Sequence, residues 1–246
     1  MLEIMMETKT LMLNTSFVKK SELGQLLYLL PFLIFLTLIN LRNSESYSFI
    51  FTSLPVLGRT MPFFILTLLL TLVYKLRGGN LSQLGLCWPH YPEKLKRQIF
   101  IRIVLLALSI FALRIFFAVV SDPITDMFPS IPRENLLHNN IDLLIGLLPV
   151  LWLVVIAEEV LFRGLLMSYL AKLFGNTAKA WVIAIILSAI VFGLGHMGKG
   201  PGAAIGSGLG GLAYGIGYYY SRKNLWPVIV AHCAVNTIGF VGAYFG

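Results

Sequence analysis

The chain has 246 residues, of which 57% are hydrophobic and only 12% charged, against roughly a quarter charged in an ordinary soluble domain. A water-soluble fold has too little polar surface to cover so many apolar side chains, so this composition excludes the soluble globular classes. The net charge of +8 does not point to nucleic acid, because Lys and Arg come in small groups between apolar runs and form no continuous basic face.

A hydrocarbon core about 30 Å thick needs about 20 apolar residues in a helix, and seven stretches approach that length. In chain order they are Gly24 to Asn40, Met61 to Tyr74, Phe100 to Val120, Ile141 to Leu173, Ala178 to His196, Gly202 to Tyr220 and Trp226 to Tyr244. The expected fold is therefore all-α, a polytopic transmembrane bundle of about seven spans. The first run follows a polar leader with Lys9, Lys19 and Lys20 and shows no small-residue cleavage pattern, so it reads as a retained span. The second is short, and its boundary with the Ser-rich stretch from Ser46 to Ser53 is poorly marked. Leu84 to Lys96, reading LGLCWPHYPEKLK, is too short to cross and mixes Trp88, Pro89, Tyr91 and Pro92 with basic residues, a composition suited to the membrane interface. The fourth run is too long for one perpendicular span at about 1.5 Å per residue, and Pro149 is the natural place for a kink or restart. The sixth carries Gly202, Gly206 and Gly210 at four-residue spacing, continued by Gly211, Gly215 and Gly217, and reads as a tightly packed central helix.

Charge in the loops tests this arrangement, since short cytoplasmic loops collect Lys and Arg. Lys9, Lys19 and Lys20, then Lys75, Arg77, Lys94, Lys96 and Arg97, then Lys172 and Lys179, then Arg222 and Lys223 all fall on one side if the N-terminus is cytoplasmic. The other side receives Arg42, Glu45, Arg59, Asp122, Asp126, Arg133, Glu134, Asp142 and Lys199, and the C-terminus. An integral, multi-pass protein of a bacterial cytoplasmic membrane is the expected location. Cys87 and Cys233 have no metal-ligand spacing and indicate neither a disulfide framework nor a zinc cluster.

Ionisable residues inside apolar spans are expensive and are functional candidates by default, and here they cluster. Span four holds Glu158, Glu159 and Arg163 in AEEVLFRG, span five ends in FGLGH with Phe192 and His196, and span seven holds HCAVN with His232 and Asn236. Glu159 and Arg163 stand at i, i+4 in the favourable order, so Arg163 neutralises Glu159. Glu158, turned about 100° away, is left to face His196 and His232. A carboxylate in an apolar site beside histidine is suited to deprotonate water, and a histidine and an asparagine amide on one helical face suit an oxyanion. The bland alternative makes Glu159 with Arg163 an orienting ion pair and His232 an interhelical hydrogen-bonding group; it weakens when the three motifs are counted jointly.

The strings EEVLFR, FGLGH and HCAVN resemble the three signature motifs of the CPBP family, which includes the type 2 CAAX prenyl proteases and the bacterial Abi proteins, and LGLCWP is similar to a stretch common before that family's core. The resemblance divides the chain into 1–140, N-terminal spans with the interfacial segment, and 141–246, the catalytic core of one membrane unit. It implies a glutamic-type intramembrane endopeptidase acting on a membrane-delivered protein or peptide. Glu158 would be the general base, His196 its partner in activating water, and His232 with Asn236 the oxyanion stabilisers, with Glu159 and Arg163 in support. It implies no cofactor. A zinc held by Glu158, His196 and His232 is the second choice, since Asn236 is a poor zinc ligand and no HExxH pair lies on one helix. A non-catalytic immunity or peptide-binding protein is the competing class; a proton-coupled carrier ranks behind it, because the N-terminal spans offer only Arg102 and Arg114 as charged residues.

Overall fold

The computed structural model describes residues 56–76, 78–86, 93–128 and 136–246. The first expected span, the Ser-rich stretch, and the middle of the interfacial segment, 87–92, with Cys87 and His90 among it, lie outside the described residues. Among those that are described, every regular element is helical. α1 is Val56–Leu76, α2 Glu93–Thr125, α3 Ile141–Glu159, α4 Ser168–Leu173, α5 Ala178–Leu194, α6 Pro201–Tyr220 and α7 Trp226–Phe245. Three stretches are long and apolar enough to cross a membrane, Arg97–Thr125, Ile141–Leu173 and Trp226–Phe245; α5 and the Phe64–Leu76 part of α1 are shorter apolar helices.

The helix ends follow local chemistry. Asn140 accepts a hydrogen bond from the Leu143 amide (3.0 Å) and Thr177 one from the Ala180 amide (3.2 Å), each as an N-cap. Pro201 and Pro227 occupy first turns, where no intrahelical N–H is needed. Pro149 does not break its helix: α3 runs through it to Glu159. The irregularity lies further on, where Val160–Met167 is π-helical, so the long fourth run is one helix with a widened middle. Two carbonyls of the widened part gain side-chain donors: Ser188 Oγ donates to Phe162 O and Ser168 Oγ to Arg163 O, both at 3.3 Å.

α6 packs most extensively against α5 and α2, while α7 packs against α2 and α3. The glycines of α6 and the facing Gly193 of α5 permit this. A Cβ on Gly193 of α5 would stand 2.6 Å from the Ala204 carbonyl and 3.0 Å from Gly208 Cα, so these two helices meet backbone to backbone. On its other side, the space a Cβ would take at Gly210 is filled by the Arg114 side chain. The central glycine helix expected from the sequence is therefore a packing element.

The short 3₁₀ turn Leu81–Leu84, at the start of the expected interfacial segment, packs on the bundle. Leu84 is buried, Gly85 adopts φ +85°, and the Leu225 amide donates to the Gly85 carbonyl at 3.0 Å. This start of the LGLCWP string clamps the α6–α7 loop, and Gly164 of the π segment leaves room for the Leu84 carbonyl. Glu93 to Lys96, expected within the interfacial segment, belong to the first turn of α2.

Candidate active site

Glu158 and Glu159 are the last two residues of α3, where the α-helical turn gives way to the π segment. Glu159 points into the bundle with no exposed surface, and Arg163, equally buried, donates from Nη1 to Glu159 Oε1 at 2.8 Å. The expected i, i+4 pair is present even though Arg163 lies in the widened segment. A second guanidinium nitrogen donates to the Gly211 carbonyl of α6 at 3.3 Å. The remaining surface of the guanidinium is covered by aromatic rings, with Phe192 at 4.7 Å and Tyr214 at 5.2 Å from the cation to the centroid.

His232, on the second turn of α7, is buried. Its Nδ1 lies 2.7 Å from Glu159 Oε1, and its Nε2 lies 3.7 Å from Glu158 Oε2. The sequence separated the two carboxylates, giving Glu159 to Arg163 and Glu158 to the histidines. The structure corrects that division: one imidazole addresses both, and its hydrogen bond goes to Glu159. The reason is geometric. Glu159 Oε1 can accept from two donors at once, Arg163 on its own helix and His232 across the bundle, whereas the distance to Glu158 exceeds hydrogen-bond reach. Because a carboxylate only accepts, Nδ1 carries the proton in this bond.

His196 falls just past the end of α5, between that helix and the 3₁₀ turn Met197–Lys199, so it is not the last helical residue that the span boundary implied. Its Nδ1 lies 2.9 Å from the Phe192 carbonyl, which can only accept, and Nε2 is therefore the nitrogen left with a lone pair in the neutral ring. Phe192 connects the parts of the site. Its ring lies 4.8 Å from His196, 6.1 Å from His232 and 5.0 Å from Phe162, in addition to its contact with Arg163. Asn236 is half-buried one turn beyond His232 on α7. α7 begins at Trp226, where the apolar run begins, after a buried Leu225.

One residue of the site had no sequence signal. Tyr214 of the glycine-rich helix is buried and stacks on His232, with centroids 4.4 Å apart and planes 25° from parallel. A tyrosine among glycines in an apolar helix reads as packing; only the crossing of α6 with α7 brings it onto the histidine.

Among the described residues, no three His, Cys, Asp or Glu side chains stand together so as to hold a metal ion. The Nδ1 atoms of both histidines are engaged, by Glu159 and by the Phe192 carbonyl, which leaves their Nε2 atoms as the ones that would meet a water or a metal.

Residues 140–238 match the family model described as Rce1-like, type II CAAX prenyl endopeptidase Rce1-like. The matched stretch begins at the N-cap of α3 and contains every residue of the site. No curated protein and no solved structure matches the chain.

Proposed function

From the premise that residues 140–238 belong to the Rce1-like family, we propose that this chain is a glutamic-type intramembrane endopeptidase that hydrolyses a peptide bond of a membrane-delivered protein or peptide. Glu158 takes a proton from water as the oxygen attacks the carbonyl carbon of the scissile bond. The oxyanion of the tetrahedral intermediate accepts hydrogen bonds from protonated His232 through Nε2 and from the Asn236 amide. Collapse of the intermediate breaks the C–N bond, and Glu158 returns the proton to the leaving amine, giving one carboxylate and one amine product. His196 orients the water through its Nε2 lone pair.

The observation that carries this reading is the position of His232, whose Nδ1 is held by Glu159 at 2.7 Å while Nε2 faces the Glu158 carboxylate at 3.7 Å. With Nδ1 donating to Glu159, Nε2 is the ring nitrogen left to donate to an oxyanion. Glu159 and Arg163 fix that imidazole. No step is routed through a metal.

A cavity of about 670 Å³ between α2 and α6 is lined by Arg114, Asp122, Asp126, Lys199 and Ser207 among others, large against the roughly 30 Å³ that one water occupies. Its lining stops short of Glu158 and His232, but Lys199 is hydrogen-bonded through its amide to the His196 carbonyl at 2.8 Å. The wider arrangement proposed is about seven spans in a bacterial cytoplasmic membrane, with the N-terminus cytoplasmic and the lipid bilayer and a membrane-associated peptide or protein as the partners.

The test is Glu158→Gln in the full-length protein. Terminal proteomics of membranes carrying wild type or this variant should show peptide termini that depend on Glu158, while the variant keeps its thermal unfolding transition in detergent. Turnover retained in Glu158→Gln overturns the mechanism. Activity lost on chelation and restored by zinc would reinstate the metal version, and a cellular phenotype that survives the substitution would favour a binding protein.

A further inference from the structure

Resting on the peptidase reading above, we propose that Tyr214 is a positioning residue for His232, and that helix α6, which carries none of the three motifs, thereby sets the direction of the imidazole. Rotation of the ring about its Cβ–Cγ bond would turn Nδ1 off Glu159 Oε1 and carry Nε2 away from Glu158. The hydrogen bond opposes that rotation, and so does whatever covers the faces of the ring. Tyr214 lies nearly parallel over His232 at 4.4 Å and 25°, while Phe192 meets it edge-on at 6.1 Å and 75°. Stacking and the hydrogen bond together leave one orientation, the one with Nε2 facing Glu158.

Tyr214 is in turn well held. It is 2% exposed, so its ring has no room to swing. The Arg163 guanidinium lies 5.2 Å from its centroid and is also anchored on the carbonyl of Gly211, one turn earlier on α6. One turn of α6 therefore grips the two cationic or potentially cationic groups that flank Glu159. Arg163 is held through a backbone carbonyl and His232 through a ring face. The requirement is for an aromatic plane, so phenylalanine should serve where an aliphatic side chain does not.

The experiment compares Tyr214→Phe and Tyr214→Leu in the full-length protein in nanodiscs, with Tyr214→Met as a second ring-free variant should the leucine variant fail to fold. The first readout is the side-chain ¹⁵N–¹H NMR signal of His232, assigned by its loss in His232→Gln and recorded in the Glu158→Gln background so that it does not depend on turnover. Wild type and Tyr214→Phe should give a sharp Nδ1–H signal at one position, which broadens or shifts in the ring-free variants as the ring samples more than one orientation. The second readout is cleavage of a substrate found by the terminal proteomics above. The ring-free variants should lose at least tenfold in kcat with KM within twofold of wild type, and Tyr214→Phe should stay within twofold in both. A His232 signal unchanged in the ring-free variants overturns the proposal, and so does a loss in Tyr214→Phe equal to theirs. Absence of turnover in the wild type would overturn the peptidase reading instead, with the NMR signal still deciding whether Tyr214 orients the ring.

Discussion

Glu159 carries more of the site than a simple ion pair requires. One of its oxygens accepts from both Arg163 and His232, and neither Glu159 nor Arg163 is exposed. Removing one member of a buried charge pair typically costs about 3–5 kcal/mol, because the partner is left uncompensated. Glu159→Ala is thus expected to destabilise the protein by about that amount, and denaturant unfolding in detergent would measure it. Glu158, half-buried and not hydrogen-bonded to His232, should behave differently. Glu158→Gln is expected to destabilise clearly less than Glu159→Ala in the same assay, since it keeps the size of the side chain and breaks no hydrogen bond to His232, while losing cleavage. Arg163→Lys should not substitute for Arg163, since a lysine has neither the fork that reaches Glu159 and Gly211 together nor the plane that lies against Phe192 and Tyr214. That variant should fall toward the stability of Glu159→Ala in the same assay. These residue types and their grouping were legible in the sequence, as was the pairing at i, i+4. Which carboxylate His232 would take was not, because that depends on where α7 crosses α3.

Among the elements, the glycine contacts separate into those that position the site and those that do not. Gly193 opposes the backbone of α6, so Gly193→Ala must push α5 and α6 apart, and overpacking of this kind typically costs about 1–3 kcal/mol. The same substitution at Gly239 or Gly242 of α7 meets nothing within 4 Å. Thermal unfolding should fall for the first and hold or rise slightly for the others, since alanine is the better helix former. Gly85 presents a harder case, with φ +85° and a would-be Cβ directed into the Lys223 carbonyl. Gly85→Ala is expected to loosen the clamp on the α6–α7 loop and to destabilise by at least about 1 kcal/mol. The helix lengths were readable from apolar runs, because burial in a bilayer needs a fixed number of residues. The π segment was not, since a periodicity of 3.6 was assumed through residues 160–167 and the wider turn has no composition of its own.

Among the described residues, the basic α6–α7 loop lies at the same end of the bundle as the start of α5. Lys223 lies over the Trp181 ring at 4.4 Å, which places the α6–α7 loop beside the start of α5. At the other end, the Asn139 amide donates to the Tyr244 carbonyl at 3.0 Å, joining the start of α3 to the end of α7. A membrane-impermeant thiol reagent applied to intact cells should therefore label a cysteine placed at Asn139 and spare one placed at Asn176, with the pattern reversed in inverted membranes. Labelling of both from one side would contradict the topology. The sequence by itself indicated the membrane class and the boundaries of most described helices, and it singled out Glu158, Glu159, Arg163, His196, His232 and Asn236 as candidates. It could do so because apolar length, loop charge and misplaced ionisable residues are local properties of a chain in lipid. Only the tertiary structure decided that His232 hydrogen-bonds Glu159 while facing Glu158, that His196 lies beyond the end of its helix, and that Tyr214 covers the imidazole. Each of these depends on how separate helices cross and on where a turn departs from 3.6 residues, and neither is written in any one segment.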